Sequence, residues 1–110
     1  MQHWNLTTLA VEPHKPQILQ SDRGEGRAIV VALPAGEQLQ DHEVHERAYL
    51  VVVDGTVTVQ AGAETVDAGP GHTFVFDPHE RHEVSATSDA RLLLVLAPWP
   101  GAGHPGARDG

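Results

Sequence analysis

The chain contains no cysteine. Disulfides, thiolate metal sites and cysteine nucleophiles are therefore excluded, and the composition suits a reducing compartment. Large aromatics are scarce: two Trp, one Tyr and two Phe in 110 residues. The core must then come mainly from Val, Leu, Ala and Ile, and a Val-rich core favours strands. Basic residues are also few, 7 against 15 acidic ones, for a formal net charge of −8. Without a basic stripe, binding to nucleic acid or to an anionic membrane is disfavoured, and the acidity serves solubility. Long apolar runs are missing. The longest stretches, Ala48–Val53 and Leu92–Pro100, are far too short to span a bilayer. The N-terminal segment MQHWNLTTLAVEPHKP lacks the basic start and apolar run of a signal peptide. A soluble, cytoplasmic protein is the expectation. Helical periodicity, finally, is absent over any three turns.

What remains is a succession of short apolar runs separated by turn residues. The length fits one domain, and 40% hydrophobic with 20% charged residues is ordinary for a globular chain. The runs Trp4–Val11, Arg27–Leu33, Leu39–His45, Ala48–Val53 and Thr56–Gln60 read as strands, followed by Glu64–Ala68, Thr73–Phe76, His82–Ala86 and Leu92–Ala97. Asp54-Gly55 is a hairpin signal, since glycine accepts positive φ. Ser21–Gly26, Pro34-Ala35-Gly36 and Gly69-Pro70-Gly71 are loops or turns. Eight or more short strands at this spacing predict an all-β sandwich or closed barrel over residues 1–97. The tail at 98–110, PWPGAGHPGARDG, has no core pattern and is expected to be flexible, with Trp99 able to dock near its root.

Histidine is enriched. Eight are present, at 3, 14, 42, 45, 72, 79, 82 and 104, five of them between residues 42 and 82. Two segments around them share a design. Gly36 is followed by five residues and then His42; Gly71 is followed by five residues, Asp77-Pro78 and then His82. Gly55 lies between them.

This register, over roughly residues 27–97, resembles the cupin superfamily, whose two motifs read G-x5-H-x-H-x3-E-x6-G and G-x5-P-x-G-x2-H-x3-N. The resemblance implies a double-stranded β-helix, a jelly-roll-like barrel, in which three His and one Glu converge on one divalent metal. His42 matches the first motif's first His, and His82 matches the second motif's His. The second His position falls on Val44 and the Glu position on Ala48. The motif-two Pro, Gly and Asn positions fall on Asp77, His79 and Ala86. Replacements stand nearby as His45 and Glu46. In a regular strand a one-residue step turns a side chain to the opposite face, so His45 needs a bulge to join His42 inside.

The expected metal set is His42, His45 and His82, around Zn, Ni, Mn or Fe, with Glu46 or His79 as a fourth ligand. Glu46, His79 and Tyr49, the last expected at the pocket mouth, are candidate catalytic residues. Without a metal, imidazoles in the pocket can still relay protons. His3, His14, His72 and His104 read as surface residues, and Glu46 beside Arg47 reads first as a solvated ion pair. Two functions follow: a metal-dependent isomerase, cyclase or lyase acting on a small organic molecule, or a non-catalytic binding or structural module, which the aliphatic Val44 and Ala48 favour. The resemblance also implies a homodimer, with Trp4–Val11 as a segment for edge pairing or exchange.

Overall fold

In the computed structural model, which describes residues 1–104 and only the backbone at positions 40–43, nine β-strands form two antiparallel sheets. They are β1 (Gln17–Asp22), β2 (Gly26–Leu33), β3 (Gln38–Glu43), β4 (Arg47–Asp54), β5 (Val57–Ala61), β6 (Glu64–Ala68), β7 (Thr73–Phe76), β8 (Arg81–Ala86) and β9 (Ala90–Ala97). One sheet has the order β1-β2-β9-β4-β7 and the other β3-β8-β5-β6. No helix interrupts them among the described residues. The all-β barrel expected from the sequence is thus the fold.

Strand periodicity explains how the sheets close. Ala48, Leu50 and Val52 on β4 are buried, whereas Tyr49 between them is exposed. His82, Val84 and Ala86 on β8 repeat the pattern, as do Val57 and Val59 on β5. Side chains two residues apart share one face of a strand, so these rows meet between the sheets. Phe76 from β7 and Leu92 from β9 complete one cluster with them. Burying each such Leu or Val side chain contributes about 1.5–3 kcal/mol.

Three local readings change. The segment Trp4–Val11 is not a strand. Asn5 takes the amide and hydroxyl of Thr7 on its side-chain oxygen, and its carbonyl accepts from the amides of Thr8 and Leu9. This turn offers the backbone an alternative to a sheet ladder. The carbonyls of Leu6 and Leu9 instead accept from the Arg91 guanidinium. The first strand lies later, at β1, and reaches into the segment read as a polar loop.

Asp54-Gly55 is a corner between sheets, not a hairpin within one. Its preceding strand, β4, pairs with β7 and β9, and its following strand, β5, pairs with β6 and β8. The corner is stitched to the β8–β9 turn: the Thr56 amide donates to Ser88 Oγ at 2.9 Å and the Thr87 amide donates to the Thr56 carbonyl at 3.0 Å. Gly55 has φ 78°, and a Cβ there would stand 2.0 Å from the Asp89 carbonyl oxygen.

The third change concerns the tail. Residues 98–104 lie against the barrel: Trp99 packs on the core, Gly101 is buried, and the Gly24 amide donates to the Trp99 carbonyl. Positions 105–110 of the expected tail fall outside the described residues.

These glycines predict a graded series. Gly36 and Gly71 also have positive φ but face open space. Gly36→Ala and Gly71→Ala should each cost about 1 kcal/mol, the strain of the left-handed backbone. Gly55→Ala adds a backbone collision and should cost about 3 kcal/mol or more. Urea denaturation of the three variants checks the order; equal losses would contradict it.

Candidate functional site

Beside the core, and sharing Leu33, Leu50 and Val84 with it, β2, β3, β4, β8 and β9 surround a cavity of about 300 Å³. Ile29, Val31 and Leu33 line it from β2, Leu39 from β3, Leu50 from β4, Val84 from β8 and Leu94 from β9. Exposed His14 and Pro16 and the half-exposed Glu37 mark its mouth.

His82 is the polar group set deepest in this wall, 5% exposed. Its ring stacks on Phe76 with centroids 3.9 Å apart and planes 4° from parallel. Its Nδ1 lies 3.1 Å from the Glu80 carbonyl. A carbonyl only accepts, so Nδ1 is the donor in this hydrogen bond. Ring orientation and the Nδ1 proton are thus both set by neighbours, the arrangement an acid–base or ligating imidazole needs.

On the opposite strand, backbone pairing sets His42 across from His82. The register between β3 and β8 shifts between Leu39 and His42, which is not the place between His42 and His45 where the sequence called for a bulge. The side chain of His42 lies outside the described residues. Val44, at the resemblance's second His position, lines the cavity and packs on the core. Ala48, at its Glu position, is fully buried. Aliphatic groups therefore occupy both places.

His45 joins a different group. Its ring lies edge-on to His79, with centroids 5.1 Å apart, and to His104 at 5.8 Å; His104 in turn meets Trp99 at 4.8 Å. His45 Nδ1 is buried and has no hydrogen-bond partner among the described residues. His79 stands on the loop before β8 at φ 69°, its amide donating to the Val44 carbonyl at 2.7 Å. Among the described residues, no group of three His, Asp or Glu side chains is disposed to hold a metal ion. Of the expected metal set, His45 thus lies beside His79, and His82 lies in the cavity wall.

The other two candidates are placed elsewhere. Glu46 is 2% exposed and accepts a 2.7 Å hydrogen bond from the Gly101 amide, so it anchors the tail. The solvated pair with Arg47 does not form; Arg47 meets Asp77 at 2.6 Å instead. Tyr49 points outward from β4, in cross-strand register with Val75 and Val95, and is not among the residues lining the cavity. Alternation along β4 requires this, because its neighbours Ala48 and Leu50 face inward.

Sequence reasoning missed the mouth. His14 Nε2 lies 3.1 Å from the Glu37 carboxylate, closing the turn at Glu12–Lys15 onto the β2–β3 connection. His14 is remote in sequence from both motifs, and only its place between Pro13 and Pro16 hinted at a fixed turn. Glu37 had a stronger signal, since it directly follows the motif glycine Gly36.

The Glu46 anchor is testable by fluorescence of Trp99 in a Trp4→Phe background. Glu46→Ala should free the strap at residues 98–104, shift Trp99 emission to the red and cost about 2 kcal/mol. Gly101→Ala should do the same, because a Cβ there stands 2.2 Å from the His45 carbonyl oxygen. Glu46→Gln keeps an acceptor and should shift emission little. Unchanged emission in both Glu46→Ala and Gly101→Ala would contradict the anchor.

Comparison with known proteins agrees with this geometry. The family model described as Cupin domain matches residues 29–97. The chain is 31% identical over 88 residues to a protein named L-ectoine synthase from Mycobacteroides abscessus, covering 77% of this chain and 68% of that one. It is 32% identical over 68 residues to a protein of the same name from Nocardia farcinica, covering 60% of this chain and 52%, about half, of that one. Among solved structures, an RmlC-like cupin protein from Desulfovibrio desulfuricans superposes with a TM-score of 0.78 at 22% identity, over 89% of this chain and 97% of that one. With both glycine-to-histidine segments, the two-sheet barrel and this match in agreement, the chain belongs to the cupin-domain family.

Proposed function

We propose that the chain acts on a small organic molecule held in the barrel cavity, with His82 moving a proton at the reacting centre. The observation that carries this reading is the imidazole of His82 in the wall of an otherwise aliphatic cavity, with its Nδ1 proton held by the Glu80 carbonyl. Imidazole exchanges protons near neutral pH, and a positioned acid–base group contributes typically 10²–10⁴-fold to rate. Dry walls strengthen any charge interaction made inside. The likeness to proteins named L-ectoine synthase supports proton-transfer or cyclase-like chemistry within the range of isomerase, cyclase and lyase reactions.

A second reading has its own support. Val44 and Ala48 remove two polar positions of the family pattern, which suits a cavity that binds without reacting. The homodimer and the cytoplasmic location belong to the proposal as well. Exposed Ile18, Tyr49 and Val75 supply apolar surface for a second copy, and the cysteine-free composition suits the compartment.

Solvent-exchange NMR separates the two functional readings. Tag-free protein is incubated in D2O with small amino and carbonyl compounds, and C–H exchange and ring closure are followed. The enzyme reading predicts exchange that falls at least a hundredfold in His82→Gln. Exchange unaffected by His82→Gln would contradict the role of His82; binding without exchange or turnover would favour the second reading. Metal analysis of the same samples is the companion measurement. One ion per chain, lost in both His42→Ala and His82→Ala, would support the metal set His42, His45 and His82 that the family pattern implies; no bound ion after loading with Zn, Ni, Mn or Fe(II) would contradict it.

A further inference from the structure

The mouth of the cavity carries chemistry that neither family motif contains. Four polar side chains are among those that line it: His82 in the wall, and His14, Glu37 and Gln38 toward the opening. Among the described lining residues there is no Lys or Arg and no Phe, Tyr or Trp. An anionic group entering this space would meet the Glu37 carboxylate with no opposing guanidinium or ammonium, and a planar ring would find no large aromatic to stack on. The whole molecule adds to the bias, because a net charge of −8 draws cations toward its clefts and repels anions.

Glu37 is also held in place. Its carbonyl accepts from the Ala86 amide at 2.9 Å and its amide donates to the Pro34 carbonyl at 3.0 Å, while the preceding Gly36 amide donates to the Ala86 carbonyl at 2.9 Å. The end of β8 thus fixes the backbone from which this carboxylate projects. Its present partner is itself a cation when protonated: His14 Nε2 lies 3.1 Å away, on an exposed turn. An exposed pair of this kind is weak, so a ligand cation can take the place of His14 without a large penalty.

We propose that Glu37 is the head-group recognition residue of the cavity and selects small molecules with a protonated amine or amidine at one end of an aliphatic body. The body lies against Val31, Leu39, Val44 and Leu94, and His14 closes the mouth by pairing with Glu37 when no ligand is present. The cavity volume, about 300 Å³, equals that of about ten water molecules and sets the ligand at on the order of ten to fifteen non-hydrogen atoms. This assignment rests on the cavity being the binding site, as argued above, and adds the charge class of what it takes.

Three probes with one alkyl chain and different heads test it: hexylammonium, hexanoate and hexan-1-ol. Binding is followed through the methyl signals of Val44, Val84 and Leu94 in the full chain. Hexylammonium should bind at least tenfold more tightly than hexanoate. Glu37→Gln should remove that preference and bring hexylammonium to within about threefold of hexan-1-ol, leaving hexan-1-ol unchanged. His14→Ala should raise hexylammonium affinity severalfold, because the competing cation is gone; a merely structural role for the pair would lower it. Hexanoate binding as tightly as hexylammonium, or a preference that survives Glu37→Gln, overturns the head-group assignment alone. If none of the three probes moves the cavity methyls, hexan-1-ol included, the cavity is not a binding site and both readings fall.

Discussion

The fold depends on filling the space between two unequal sheets with small aliphatic side chains. Alternation along β4, β5, β8 and β9 delivers one inward row per strand, and nearly every residue in those rows is Val, Leu or Ala. Phe76 is the one large aromatic buried in that cluster. These rows leave a cavity of about 300 Å³ bounded by β2, β3, β4, β8 and β9. Protein interiors otherwise pack as densely as organic crystals, so this cavity, with the His82 imidazole in its wall, is where the proposed ligand would lie. The shortage of aromatics that made the sequence read as all-β is thus also what leaves the cavity open.

That geometry changes the meaning of the histidines. His82 and the residues beside it form the cavity's inner wall, and Val44 and Ala48 make the rest of that region aliphatic. His45 and Glu46, one and two residues from the family positions, serve the outside of the barrel. They hold the strap at residues 98–104, Glu46 through the Gly101 amide and His45 through its packing against His79 and His104. The corner at Val44–Glu46 therefore divides two tasks: Val44 faces the cavity, and the next two residues receive the tail.

Much of the fold was legible in the sequence because it rests on local rules. The alternation in Ala48–Val53 and the turn glycines Gly36 and Gly71 are read from neighbouring residues, whereas the convergence of His42 and His82 was implied only by the family resemblance. Other features depend on partners far away in the chain. Asp54-Gly55 looks the same whether it joins paired strands or passes the chain between sheets; only the pairing of β4 with β9 decides. The apolar run after Trp4 has strand composition, but Asn5 and Arg91 take up its backbone groups. Glu46 looked solvated beside Arg47, and its burial comes from a glycine 55 positions later. The mouth pair of His14 and Glu37 was invisible for the same reason.

The barrel encloses a largely apolar cavity with His82 in its wall. A crystal structure under xenon pressure tests this most directly, since xenon occupies dry apolar cavities and not hydrated ones. A well-occupied xenon site in van der Waals contact with Val44, Leu50 and Leu94 is expected. A cavity without xenon, collapsed onto its own side chains or filled by an ordered chain of waters, would contradict it.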